Sequence, residues 1–159
     1  MNKFAWGNFD KIPMYVDKSY GPSVQSQRIL MMRTANELIR EGKNDKAIAL
    51  CEKYFEAFPH FNFAYDPQIV PFISAMVRAG GYEQAKKHID ILSEELLDRL
   101  IFYNSLTVDD LQSGFSGEYT SVNRSKDDMI EIAKTVGDQE LIDRLNNMFA
   151  PFISEPVKN

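Results

Sequence analysis

The sequence predicts an all-α fold of antiparallel helix pairs preceded by an extended N-terminal arm. Three observations predict it. Apolar residues recur at three- and four-residue steps through six segments of the 159-residue chain, as one buried helix face requires. Glycine or proline punctuates the ends of those segments. A glycine followed five positions later by an alanine occurs at Gly42 and Ala47, and again 38 positions on at Gly80 and Ala85.

The arm covers residues 1–22 and is aromatic-rich but not periodic. Phe4, Trp6, Phe9, Tyr15 and Tyr20 are interrupted by Gly7, Pro13, Gly21 and Pro22, a density of breakers that disfavours a long helix. Five aromatics are too much apolar surface to leave in water. The arm is therefore expected to pack on the helices, which would bury Trp6, or on protein upstream of this chain.

The helical-repeat region is expected to span residues 23–153, with pairs at 23–58, 67–103 and about 118–149 and a tail at 154–159. The first helix, over 23–41, carries Leu30, Met31, Ala35 and Leu38 on one face. Gly42 can take the positive φ that closes it, and Asn44 is placed to cap the next helix. That helix has the cleanest stripe in the chain, Ala47, Ile48, Cys51, Tyr54, Phe55 and Phe58, and Pro59 stops it. After the loop Phe61 to Tyr65, Asp66 and Pro67 read as an N-cap and a first-turn proline. Ile69, Phe72, Ile73, Met76 and Val77 then run to the turn at Gly80 and Gly81, with Pro71 expected to bend the helix or delay its regular start. The fourth helix is long, with Ala85, Ile89, Leu92, Leu96, Leu100 and Tyr103 on one side. A less regular connection containing Gly114 and Gly117 leads to two more helices, separated by Gly137, the last facing inward with Leu141, Ile142, Leu145, Met148 and Phe149.

Composition narrows the function. The net charge of −5 argues against nucleic-acid binding, which needs a basic face for phosphates. No apolar run reaches the roughly 18 residues of a bilayer span, so direct membrane insertion by this segment is not expected, and no secretory leader is visible. Cys51 is the single cysteine, which excludes an internal disulfide, and on its apolar stripe it reads as a small buried hydrophobe.

Chemical constellations are sparse, and no cofactor, metal site or catalytic group is expected. His60 and His88 have no second ligand at metal spacing; His60, in a Pro-His-Phe turn after a helix end, and His88, beside Lys86 and Lys87 on a charged face, both read as solvated structural residues. The doublets Glu94-Glu95, Asp109-Asp110 and Asp127-Asp128 sit at adjacent helix positions, about 100° apart, so neither member of a doublet faces the other as an acid/base pair. Asp109 and Asp110 instead follow Thr107, a natural N-cap.

The repeated Gly–Ala step resembles the tetratricopeptide repeat, whose period of about 34 residues becomes 38 with a four-residue insertion in the loop. The glycine lets the chain reverse and the alanine lets two helices approach. Pro59 fills the repeat's terminal proline position, whereas Leu97 stands there in the second segment and Ile142 stands where a third alanine would be. The resemblance implies a right-handed superhelical array in which the first helix of each pair lines a concave groove. Register with the alanines puts Met32, Asn36, Ile39, Val70, Ser74 and Val77 in that groove, with the aromatic loop residues Phe61, Phe63 and Tyr65 at its edge. Arg33, Arg40 and Arg78 are the nearby cations. The competing reading is that the chain's own arm or C-terminal helices fill the groove and the loop rings cover core.

Further strings resemble a second family. Gly7-Asn8-Phe9-Asp10, Tyr15-Val16-Asp17, Leu38 through Lys43, and Pro59 through Phe63 to Tyr65-Asp66 are similar to the soluble C-terminal part of bacterial protein O-mannosyltransferase-like membrane proteins. The resemblance implies a periplasmic, non-catalytic interaction or support domain, whose catalytic membrane portion lies upstream and whose partner is a protein, a peptide or that upstream portion. No catalytic residue carries over. The alternatives are a free-standing peptide-binding adaptor and, third, a small helical enzyme.

Overall fold

The computed structural model describes residues 8–152. Trp6, Phe4 and the tail at 154–159 lie outside them. Among the described residues every regular element is helical. The helices are α1 (Gly21–Arg40), α2 (Asn44–Ala57), α3 (Val70–Arg78), α4 (Tyr82–Ser105), the single turn α5 (Val108–Asp110), α6 (Ser116–Val136) and α7 (Gln139–Phe149). A 3-10 turn at Pro67–Ile69 precedes α3, so regular helix starts just before Pro71. A π turn at Leu111–Phe115 joins α5 to α6.

Three helix reversals share one hydrogen-bonded design. After α1, Gly42 takes φ 72° while its N–H donates to the Ile39 carbonyl, and the Lys43 N–H donates to Leu38 at 2.8 Å. After α3, Gly80 takes φ 88°, with Gly80 donating to Val77 and Gly81 to Met76. After α6, Gly137 takes φ 73°, with Gly137 donating to Lys134 and Asp138 to Ala133. Each is a left-handed C-terminal residue whose paired bonds satisfy the last carbonyls, a conformation that strains any residue with a Cβ. Asn44 is the first residue of α2 and makes no capping bond, which corrects its expected role. Asp66, Thr107 and Asp138 do cap, each accepting a backbone N–H within the following turn.

The chain divides into two compact units, Met1–Tyr65 with Pro71–Lys86, and Asp66–Val70 with Lys87–Asn159. In the first, α1 packs against α2. Ala35, Ala47, Cys51, Ile73, Met76 and Ala85 are fully buried, and Tyr54 stacks on Phe72 at 4.1 Å with planes 14° apart. Leu30 is exposed, contrary to its place on the expected stripe; α1 turns Arg28 inward instead, where Nε donates to the Tyr54 hydroxyl at 2.8 Å. Gly81 is placed so close to Ile48 that a Cβ there would lie 2.9 Å from it. In the second unit α6 packs against α7, and Leu92, Leu96, Leu100, Met129, Leu145 and Phe149 are fully buried. There Lys126 is buried, with Nζ donating to the Phe152 carbonyl at 3.2 Å and lying 3.2 Å from the Asp127 carboxylate.

Candidate functional site

On α1, Met32, Asn36 and Ile39 follow one another at steps of four and three and so share one helix face. Asn36 is exposed, and Met32 and Ile39 are half-buried. On α3, Ser74 and Val77 are half-buried. Val70 is buried and belongs to the second compact unit, whereas the other five belong to the first. Arg78 joins α1 to α3: Nη2 donates to Asn36 Oδ1 at 2.7 Å, and Nε donates to the Ser74 carbonyl at 3.4 Å. Asn36 and Ser74 therefore meet at one guanidinium, on a surface shouldered by half-buried apolar side chains.

This arrangement leaves hydrogen-bond donors at the surface. A guanidinium has five N–H donors, more than these two bonds use, so it can also serve a carbonyl or carboxylate. Arg40 is differently placed, because Glu37 lies 2.7 Å away and holds the guanidinium pKa above its ordinary value. Cys51 is buried, and burial pushes its thiol pKa up to about 12 against a smaller opposing influence of the Arg78 charge. At neutral pH it is an inert thiol rather than a nucleophile.

The three loop aromatics do not act together. Phe61 is 53% exposed and Tyr65 only 2%. Phe63 is half-buried between Phe9 and Phe58, each ring centroid 5.2 Å away and edge-on. The residue that organises this loop is Asn62, which the sequence analysis did not single out. Its Oδ1 accepts the Met14 N–H at 2.8 Å, and its Nδ2 donates to the carbonyls of Phe9 at 2.8 Å and Ile12 at 2.9 Å. Residues 9–14 of the arm are thus tied to the loop by one amide. Asn8, at φ 64°, makes the turn that brings them there.

Both histidines have structural places. His60 Nδ1 accepts the Tyr65 N–H at 3.1 Å. His88 is 4% exposed, which overturns its expected place on a solvated face. Burial, followed by the Lys87 charge, lowers its pKa to about 3 and keeps the ring neutral. The signal was present in the sequence, since His88 stands three positions after Ala85 and four before Leu92, on the buried face of α4. Thr107 Oγ1 accepts the Asp110 N–H, as expected of an N-cap. Among the described residues no cluster of three or more His, Cys, Asp and Glu is arranged to hold a metal ion, and no described helix is long and apolar enough to cross a membrane. No family model, curated protein or solved structure matches the chain.

Proposed function

We propose that this chain is a non-catalytic interaction or support domain of the tetratricopeptide type. Its helix pairs form a right-handed superhelical array, and a protein or peptide segment docks on the face shared by α1 and α3. The hydrogen bond from Arg78 to Asn36 carries this reading. A repeat groove needs the first helices of successive pairs side by side, and this bond joins one to the other. The shared turn geometry at Gly42 and Gly80, each followed by a fully buried alanine, supports the same register. In this reading the domain serves a bacterial protein O-mannosyltransferase-like membrane protein in the periplasm. Its partner is then a separate polypeptide or the upstream part of the same chain.

Selection of phage-displayed random peptides on the immobilised chain tests the proposal. Peptides so recovered should lose binding at least about tenfold to Asn36→Arg, which crowds Arg78 with a second cation and removes its acceptor. Because Asn36 is exposed, stability should shift by no more than about 0.5 kcal/mol. Undiminished binding to Asn36→Arg contradicts the proposed face, and unfolding of that variant contradicts the register.

A further inference from the structure

Where α4 ends and α6 begins, the second compact unit presents two large rings to solvent. Phe102 is 48% exposed and Phe115 38%, and they meet edge-on with centroids 5.9 Å apart. Beneath them Tyr103 is buried, 5.3 Å from Phe102 and 6.0 Å from Phe115, and Tyr119 lies 6.0 Å from Tyr103. The rings are therefore a supported platform rather than isolated surface residues. Phe115 closes the π turn and directly precedes α6.

The connection that carries Phe115 is acidic. Between the half-buried Arg99 and the exposed Arg124 the chain has no lysine or arginine, whereas Asp109, Asp110 and Glu118 are all exposed. Asp110 accepts the Thr107 hydroxyl at 2.6 Å, and Asp109 and Glu118 face water. An isologous contact with a second copy would set this acidic surface against itself, and an anionic lipid surface would be repelled. A cation is attracted both by the carboxylates and by the faces of the two rings.

We infer that Phe102 and Phe115, with the exposed acidic residues near them in sequence, form a docking surface for a cationic, leucine-bearing segment of another protein. The leucines cover the rings, and the lysines or arginines between them meet Asp109, Asp110 and Glu118. This surface is separate in sequence and in residues from the α1–α3 face, so each stands or falls alone.

The full chain should be titrated by calorimetry with a synthetic helical peptide bearing leucines at i, i+3, i+4 and i+7 and lysines elsewhere. A second peptide, in which serine replaces every leucine, serves as the comparison. We expect roughly micromolar binding of the leucine peptide, weakened at least tenfold by raising salt from about 0.05 M to about 0.5 M. Phe102→Ser with Phe115→Ser should weaken it at least about tenfold, as should Asp109→Asn with Glu118→Gln, a pair of exposed changes that removes the charge without placing a cation in a first helical turn. Asn36→Arg should change nothing, which separates this surface from the α1–α3 face. Equal binding of the serine peptide overturns the proposal, as does indifference to both paired variants. So does self-association by sedimentation, or binding to phosphatidylglycerol vesicles, that the Phe102→Ser/Phe115→Ser pair abolishes.

Discussion

Phe63 and Phe115 both stand in connections between helices and beside other rings, yet Phe63 is held between Phe9 and Phe58 while Phe115 remains exposed beside Phe102. The difference lies in the polar bonds of each connection. Asn62 reaches partners 48 to 53 positions away and so brings another stretch of backbone over the rings. In the second connection Thr107, Asp110 and Ser113 bond across three positions and so close local turns. Aromatic density thus signals surface that wants burial, while the reach of neighbouring amides and carboxylates decides whether the chain buries it. The first connection became a fastening for the arm, and the second leaves its ring exposed.

Substitutions can break or sharpen this contrast. The largest effect is expected at Tyr65, which packs against Phe55 and His60 at the closed connection. Tyr65→Ala should cost about 3–4 kcal/mol in chemical denaturation. A loss under about 1 kcal/mol would mean that this connection is not closed. Asn62→Ala removes three long-range bonds and should cost about 2–3 kcal/mol. It should also speed hydrogen exchange at the Met14 amide, whose protection would be unchanged if the arm were held by ring packing alone.

The unit that carries the exposed rings has an acid sensitivity of its own. His88 has a native pKa near 3 against an ordinary value of 6.5, so the unfolded chain binds its proton first as pH falls. Stability is full above about pH 6.5 and declines toward pH 3, with about 2 kcal/mol lost between pH 7 and pH 5. Over that interval His88→Gln should show a slope shallower by the same amount, whatever its effect at pH 7. Identical slopes would place His88 in water. The smallest effect belongs to the open connection, where Phe102→Ser should change stability by about 1 kcal/mol or less.

Much of the fold was legible because it rests on local rules. Gly42, Gly80 and Gly137 announce reversals that only a left-handed residue completes, and the stripes of α2, α4 and α7 repeat at helical steps. What escaped was set by distant partners. Leu30 outranks Arg28 in hydrophobicity, yet Arg28 is turned inward because Tyr54, 26 positions away, supplies a hydroxyl acceptor. Asn62 looked like a loop spacer for the same reason. At the site, register placed Asn36 and Ser74 on neighbouring helices and Arg78 among three nearby cations, but it did not single out Arg78, whose bonds to both depend on side-chain reach rather than period. It also placed Val70 on an open face although that residue is buried.

The proposed recognition face is tested most directly by nuclear magnetic resonance mapping of the full chain during titration with peptides selected by phage display. The account predicts amide shift changes clustered at Met32, Asn36, Ser74 and Arg78, and their loss in Asn36→Arg. Shifts that leave α1 and α3 untouched while peptide binds elsewhere would contradict it.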